Sequence, residues 1–288
     1  MTSNNQEQEF DMPTGKNKIL WGEAWRAYKR LIKDIDNTAE VFVIIRSLTG
    51  ESFNRSYRKF VKTAHGQKIL RDKRRIIDFL SDRTPFKTLP AGTLGHTYDA
   101  FMTHEGLSAE GLAQASEDGT LDKDRAMAFK GTDLETYGDW VRDTHDLYHV
   151  TTGYGRDEVG ELCLLSFTFA QSGNWGIGFI VLMGALQMKR VAPSAPAFGL
   201  IWEGFRNGRR AKWLPAQDWE AKLDQPLDDV RRDFGIHWPQ KYHAVIKAIR
   251  AGADTVNLRA GSQSSVEKDK VMEEIQAMGF YSAFHPFR

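Results

Sequence analysis

The chain has little of what marks extracellular, membrane-spanning or nucleic-acid-binding proteins. It contains a single cysteine, Cys163, so an internal disulfide framework is excluded and a reducing compartment is favoured. Its formal net charge is only +1, whereas a protein that binds nucleic acid is expected to carry a basic excess. We therefore expect no nucleic-acid partner.

Long hydrophobic runs are also missing. The most apolar stretch, residues 159–188, is interrupted by polar residues and glycines, and its cleanest part, Ile177 to Met188, is too short to cross a bilayer. Residues 1–18 are polar and lack the apolar segment of a signal peptide, so we interpret them as a loose tail. The expected location is cytoplasmic, with peripheral contact at the inner face of the membrane.

The alternating pattern of β-strands is scarce, and apolar residues instead recur at helical spacing. Trp21, Trp25 and Ile32, for example, belong to one predicted apolar face. A later helix is predicted to stop at His65–Gly66, and the apolar spacing of residues 69–80 predicts the next one. The sequence therefore predicts an all-α fold.

The predicted organisation is a single multi-helix domain that lies between a polar N-terminal tail and a C-terminal helical extension. Residues 81–95 contain two prolines and two glycines and are predicted to form a loop, while residues 108–131 predict a polar surface excursion. The domain is expected to span residues 19–236, and a peripheral helical extension is expected over residues 237–288.

A pair of histidines gives the first sign of chemistry. His145 and His149 are four residues apart on a predicted helix, so their imidazoles lie on one face, with Asp146 at its shoulder. A glycine-rich turn at residues 153–155 follows, and the next helix carries Glu161 in an apolar run. An ionised carboxylate is costly there unless it is paired or binds a metal. These two histidines and two carboxylates predict one divalent-metal site, a set that suits zinc or non-haem iron.

Each of these residues also has a purely structural interpretation. A single histidine beside an apolar face is more often a hydrogen-bonded core residue than a ligand. Glu161 alone could serve as a partner of the helix dipole. The combination of the paired histidines, the adjacent acid and Glu161 favours the metal.

The same residues resemble the signature of a known family. The order His145-Asp146-x-x-His149, then eleven residues, then Glu161, is similar to that of the coenzyme Q biosynthesis protein 4 family of ubiquinone synthesis. The likeness extends from about residue 20 to residue 236, and three further stretches agree with it: LPAGTLGHTYDAF at residues 89–101, NGRRA at residues 207–211, and FGI at residues 234–236.

The resemblance implies a function as well as a fold. It implies a zinc-type metal on the four residues above, with iron as the alternative, and a hydrophobic cavity for a polyprenyl tail. Residues 162–169 and 177–188 could line that cavity. The implied reaction replaces the C1 carboxyl of a polyprenylated 4-hydroxybenzoate-type precursor with a hydroxyl, and the implied partners are the other ubiquinone biosynthesis enzymes. A homodimer is left open.

Roles for individual residues follow from this hypothesis. We predict that Asp146 is catalytic, because it lies farthest from the apolar face and nearest to an entering substrate. Arg209 and Arg210 are predicted to bind a carboxylate or phosphate of the substrate. The two arginines could equally be cationic residues that close a helix C-terminus.

Other classes of protein fit part of the pattern. One is a non-catalytic scaffold that binds a prenyl lipid and uses the metal structurally. Another is an HD-type metal-dependent phosphohydrolase, since His145-Asp146 is also the dyad of that superfamily, with His96 or His104 as its upstream ligand. A zincin peptidase is disfavoured, because Asp146 stands where its glutamate base is expected.

Overall fold

The described part of the chain folds into α-helices joined by short connections, which confirms the predicted all-α class. The computed structural model describes residues 10–13, 18–33, 38–106, 108 and 130–250. Most of the predicted tail, nearly all of the predicted excursion and the extension beyond residue 250 lie outside these ranges. The α-helices are α1 (Trp21–Leu31), α2 (Thr38–Leu48), α3 (Ser52–Val61), α4 (Ala64–Asp72), α5 (Ile76–Leu80), α6 (Thr84–Lys87), α7 (Leu94–His104), α8 (Asp133–Asp143), α9 (His145–Thr152), α10 (Glu158–Ser172), α11 (Trp175–Val191), α12 (Ala197–Arg210), α13 (Leu227–Phe234) and α14 (Gln240–Arg250).

None of the helices in these ranges combines the length and the apolar character needed to cross a bilayer.

Helix α10 lies at the centre of the core, and α12 packs along it. Ser166 donates to the carbonyl of Ile201 at 2.6 Å, and Gln171 donates to the carbonyl of Gly208 at 3.1 Å, so the two helices run in the same direction. Glycines on α12 allow the close approach, because a Cβ on Gly204 would lie 2.4 Å from the carbonyl oxygen of Cys163. Helix α11 covers another side of α10 and also packs against α2 and α12.

Two of the predicted helix boundaries are wrong, and both depend on local hydrogen bonds. The predicted stop at His65–Gly66 instead lies in the first turn of α4, because the hydroxyl of Thr63 caps that helix by accepting from the Gly66 N–H at 3.0 Å. The predicted helix over residues 69–80 is divided in two, since Lys73 adopts a left-handed conformation with φ 47° and ends α4.

Two further segments also differ from the sequence prediction in where their helices begin and end. The predicted loop over residues 81–95 contains the short helix α6. The segment that carries the two histidines is not one helix but α8 followed directly by α9, with a break at Thr144. The Thr144 hydroxyl donates to the carbonyl of Trp140 at 2.9 Å, and such side-chain bonds to the preceding turn often bend helices.

Helix α1 is turned differently from its predicted apolar face. Its buried residues are Ala24, Ala27 and Leu31, whereas Trp21 is 56% exposed and Trp25 is 48% exposed. Small alanines allow α1 to lie close against α2, which leaves the bulky tryptophans outside. The predicted face also contained Ala24 and Leu31, so the sequence was right about the helix and about part of its buried side, and wrong about the two tryptophans.

Candidate metal centre

A tight turn joins the two helices that carry the predicted ligands. Helix α9 ends at Gly153, whose φ of 78° is a left-handed conformation that favours glycine. A Cβ on Gly153 would also lie 2.6 Å from the ring of Trp238. Helix α10 begins at Asp157, whose carboxylate caps it by accepting from the Gly160 N–H at 2.9 Å. The turn thus returns the chain so that Glu161 faces α9.

The structure groups three of the four predicted ligands, His145, Asp146 and His149, and places the fourth, Glu161, against His149. One ligand atom from each of His145, Asp146 and His149 lies within 4.8 Å of the others. The Glu161 Oε1 lies 3.3 Å from the Nε2 of His149, on the buried side of the cluster. The contact across the turn that a shared site requires is therefore present between Glu161 and His149.

The orientation of His149 leaves one ring nitrogen facing the cluster. Its Nδ1 lies 3.0 Å from the carbonyl oxygen of Tyr154, which can only accept, so Nδ1 carries the proton and donates. The ring of Phe101 on α7 stacks on the imidazole at 5.7 Å between centroids. A backbone partner on the far nitrogen is the usual device that orients a metal-ligating histidine. The Nε2 of His149 is thus the nitrogen that faces Glu161, and it would donate its electron pair to a bound metal.

Three buried atoms at this contact have no hydrogen-bond partner in the described protein, namely the Nε2 of His149 and both carboxylate oxygens of Glu161. Each of these two residues is only 1% exposed. Glu161 has His149 and Arg156 as charged neighbours, but a buried carboxylate that accepts no hydrogen bond is still costly, and a divalent cation would satisfy all three atoms at once. The donor set therefore fits the predicted metal, and the choice between zinc and iron stays a prediction.

The sequence prediction missed Arg156, which it placed at the start of the next helix. The side chain is buried, with its Nε 3.7 Å from Glu161 Oε1 and its Nη1 3.9 Å from Asp146 Oδ1. A cation between the two carboxylates offsets part of their mutual repulsion. Its place in a turn rich in acids was the only signal that could have identified it.

Electrostatics keep the two carboxylates ionised. Burial alone would raise the pKa of Glu161, but His149, then His145 and Arg156, hold it below its usual value. Burial likewise opposes ionisation of Asp146, and His145, Arg156 and His149 outweigh it, so this pKa is lowered too. Ionised carboxylates are the form that binds a metal.

Helix α14 braces the turn, although its residues belong to the predicted peripheral extension. The Gly155 N–H donates to the hydroxyl of Tyr242 at 2.9 Å, and that hydroxyl donates to the Asp157 carboxylate. The Tyr242 ring also meets the Tyr154 ring edge-on at 5.4 Å. Since the Tyr154 carbonyl orients His149, Tyr242 holds the backbone that positions a predicted ligand.

Removing this hydroxyl is expected to weaken metal binding without breaking the fold. In Tyr242→Phe, Gly155 and Asp157 each lose a buried hydrogen bond, so we expect metal affinity to fall about 10-fold, as for the loss of other outer partners of metal ligands. Competition with a chromogenic chelator measures the effect. The matched control is Tyr57→Phe, which removes a buried hydroxyl that has no hydrogen-bond partner in the described protein. Equal affinities in the two variants would contradict the bracing role.

The structure does not bring Arg209 and Arg210 to the cluster. Both are exposed in the last turn of α12. They follow Gly208, which packs against Phe167 on α10. Phe167 lies about 9 Å beyond Glu161 along that helix, at 1.5 Å per residue. Their predicted role in substrate binding stays a prediction.

The two histidines that an HD-type site would need are also elsewhere. Among the described residues, the group with metal-ligand geometry contains His145, Asp146 and His149, and neither His96 nor His104 belongs to it. The His104 side chain is 84% exposed and pairs with Glu105 at 3.0 Å. Glu161 is outside that group as well, but it lies 3.3 Å from the Nε2 of His149, and this contact favours the hairpin ligand set over the HD arrangement.

Comparison with known proteins agrees with the signature. The family model described as coenzyme Q (ubiquinone) biosynthesis protein Coq4 matches residues 34–240. A ubiquinone biosynthesis protein coq4 of Pyrenophora tritici-repentis is 28% identical over 190 residues, 64% of this chain and 60% of the relative. A COQ4 protein of Podospora anserina is 30% identical over 178 residues, 60% of this chain and 54% of the relative. Both fungal proteins are named mitochondrial, and the cytoplasmic location of this chain stays a prediction.

A solved structure supports the fold. The crystal structure of a ubiquinone biosynthesis protein from Nostoc punctiforme superposes with a TM-score of 0.55 at 21% identity, over 74% of this chain and 97% of that chain. The chain spans 60% of the Pyrenophora protein and 54% of the Podospora protein. The family match covers most of the described residues and includes all four predicted ligands. The chain belongs to the coenzyme Q (ubiquinone) biosynthesis protein Coq4 family.

Proposed function

We propose that this chain takes part in ubiquinone biosynthesis by acting on a prenylated aromatic acid at a divalent metal held by His145, Asp146, His149 and Glu161. The observation that carries the proposal is the buried contact of His149 with Glu161, where three ligand-type atoms converge without hydrogen-bond partners. The family match supports the pathway. Its relatives are named as ubiquinone biosynthesis proteins, which supports the class of substrate.

The proposed reaction replaces the C1 carboxyl of a polyprenylated 4-hydroxybenzoate-type ring with a hydroxyl. This change releases carbon dioxide and needs an oxygen-atom donor as co-reactant. When bound, a divalent metal would supply Lewis-acid chemistry toward a carboxylate or phenolate oxygen.

The position of each side chain in the cluster suggests its role in the proposed reaction. Side-chain exposure rises from 0% at His149 and 2% at Glu161 to 11% at Asp146 and 24% at His145. A substrate therefore approaches from the side of His145 and Asp146. Asp146 stays ionised there, because neighbouring cations lower its pKa, and we propose it as the proton acceptor on account of its position. The Arg156 guanidinium can pair with a substrate carboxylate.

The polyprenyl tail is proposed to lie along α10 and α11. These helices contain the apolar residues 162–169 and 177–188, and α10 carries Glu161 near its first turn. A ring held at the metal would therefore have apolar residues of α10 beside it. Cooperation with other ubiquinone biosynthesis enzymes and peripheral contact with a membrane belong to the same proposal.

A scaffold that binds the same lipid without changing it is the second candidate. The near-complete burial of Glu161 and His149 favours it, because structural metal sites are closed whereas catalytic sites keep an open position. The partial exposure of His145 and Asp146 favours the enzyme instead.

Lipid extraction from the purified protein, together with metal analysis, tests the proposal. We expect a prenylated aromatic acid or phenol in the extract and about one divalent metal per chain. Absence of any prenyl lipid, combined with hydrolysis of phosphate esters by the metal-loaded protein, would overturn the proposal in favour of the HD-type phosphohydrolase.

A further inference from the structure

The exposed hydrophobic side chains of this protein are concentrated on one part of its surface. Among the described residues, thirteen large hydrophobic side chains are exposed, and ten of them lie in residues 19–32, in α11 or in α12. Four of the ten are tryptophans, and Trp175 and Trp202 are the most exposed, at 60% and 58%. Contiguous exposed apolar surface on a folded protein usually marks an interaction site.

Ring contacts connect α1 to α11. The half-buried ring of Phe179 on α11 meets Trp21 at 6.4 Å, Trp25 at 6.5 Å and Tyr28 at 5.6 Å, all measured between ring centroids. Trp175 lies one helical turn before Phe179 on the same side of α11. The aromatic side chains of α1 and α11 therefore form one continuous surface.

A second set of rings continues this surface to α12. Phe169 of α10 lies 6.1 Å from Trp175 and 6.0 Å from Phe205, and Phe205 stacks on Trp202 at 5.8 Å. We call the exposed sides of α1, α11 and α12 together the aromatic face.

Cations outnumber acids around the aromatic face. These three helices carry seven exposed cationic side chains: Arg26, Lys29, Arg30, Arg190, Arg206, Arg209 and Arg210. Six of them are left to attract anions, because Arg30 pairs with Glu40 of α2 at 2.5 Å. The two acids of these helices are Glu23, which is half-buried, and Glu203, which is buried and accepts from the backbone N–H groups of Lys241 and Tyr242. The aromatic face is therefore basic, although the whole chain has a net charge of only +1.

The cations are interleaved with the rings rather than set apart from them. The Lys29 ammonium lies 5.9 Å from the centre of the Trp25 ring. Burial raises the pKa of Tyr28, and the nearby Arg190 of α11 partly offsets that rise, which places this cation beside the α1 aromatics. Trp and Tyr together with Lys and Arg are the residues that anchor proteins in the headgroup region of a bilayer.

We propose that the aromatic face docks on the surface of a lipid bilayer that contains anionic lipids. The tryptophan rings would enter the headgroup region, and the cations would pair with lipid phosphates.

A second copy of this chain is a poorer occupant of the aromatic face than a bilayer, because a two-fold contact would place the same basic surface against itself. The inference deepens the membrane contact of the proposed function and rests on it, but it is argued from these exposed side chains and not from the chemistry proposed for the metal centre. Both α11 and α12 pack on the helix that carries Glu161, so a lipid leaving the bilayer here would meet the proposed tail path.

Flotation of the full chain with vesicles tests the proposal. The probe is phosphatidylcholine containing about 30 mol% phosphatidylglycerol, compared with pure phosphatidylcholine. The parent chain is expected to float with the anionic vesicles and to be released by high salt. The double variant Trp175→Ser/Trp202→Ser is expected to bind at least about 10-fold more weakly, since it loses two interfacial aromatic anchors. Arg190→Glu/Arg206→Glu is expected to weaken binding to the anionic vesicles by a similar factor.

Matched controls lie elsewhere on the molecule. Phe79→Ser removes an exposed aromatic ring from α5, and Lys87→Glu reverses an exposed charge on α6, so neither should change vesicle binding. Metal content and thermal stability should match the parent in every variant, because the substituted side chains are exposed.

Failure of the parent to float, or equal flotation of the tryptophan variant and the Phe79 control, would refute the proposal. A dimer in sedimentation velocity that only the tryptophan variant dissociates, without vesicle binding, would assign the face to a second copy instead. None of these outcomes alters the metal test described below.

Discussion

His149→Ala protein is expected to purify with less than about a tenth of the divalent metal that the parent chain holds. Losing a direct ligand should cost more than the roughly 10- to 100-fold in affinity that follows loss of an outer hydrogen-bond partner. His149 contributes the Nε2 that faces Glu161, and its other nitrogen is already engaged by the Tyr154 carbonyl. Nothing else in the hairpin can supply that nitrogen. Elemental analysis of gel-filtered protein measures the metal.

Stability measurements separate metal loss from misfolding. A bound metal stabilises the folded chain, so a chelator should lower the melting temperature of the parent and leave that of His149→Ala unchanged. His104→Ala removes an exposed histidine on α7 and should keep the parent's metal and its response to the chelator. Unchanged metal stoichiometry in both His145→Ala and His149→Ala would show that the site hypothesis is wrong.

The parts of this site that could be predicted from sequence depend on local spacing. His145 and His149 are one helical turn apart, so their common face follows from helix geometry alone. Glu161 could be added because it follows His149 after only eleven residues, which include a glycine-rich turn. A costly carboxylate in an apolar run also suggested a partner.

The parts that could not be predicted depend on contacts between distant segments. Tyr242 and Asp157 are separated by 85 positions, and no periodic pattern connects them. The sequence shows where Arg156 lies in the chain but not that it lies beside Asp146. The direction of a side chain in a turn depends on backbone angles that the sequence pattern does not specify.

The surface of α1 was misjudged for a related reason. A helix with tryptophans on one side and alanines on another has two sides that can be buried, and the choice depends on how closely the neighbouring helix approaches. Close packing on α2 selected Ala24 and Ala27, which left Trp21 and Trp25 for the aromatic face.

Asp146→Asn is expected to stop ubiquinone formation while leaving the fold and much of the metal in place. The substitution keeps the shape of the side chain but removes a negative charge and a proton acceptor at the accessible side of the cluster. General acid–base groups typically contribute about 100- to 10,000-fold to a rate, so product should fall to near background. The carboxylated precursor should accumulate in its place. His149 and Glu161 are untouched, so their buried contact still holds part of the metal.

The measurement is the content of precursor and quinone in a strain that lacks its own family member and expresses the variant. Both contents are normalised to the amount of soluble variant protein, and its metal content is determined in parallel. Asp139→Asn is the matched control, since this acid on α8 pairs with Arg142 at 2.8 Å and does not belong to the ligand cluster. That variant should support ubiquinone formation at the level of the parent.

The same experiment separates an enzyme from a scaffold. If the metal only joins the two helices of the hairpin, Asp146→Asn should lower the melting temperature, because the ligand set is weakened. Ubiquinone would then stay near normal wherever the protein remains folded. Normal ubiquinone at the expected level of soluble Asp146→Asn protein would therefore remove the catalytic role from Asp146 and favour the lipid-binding scaffold. Precursor accumulation with retained metal and fold supports the enzyme, because a structural metal has no means to block one chemical step.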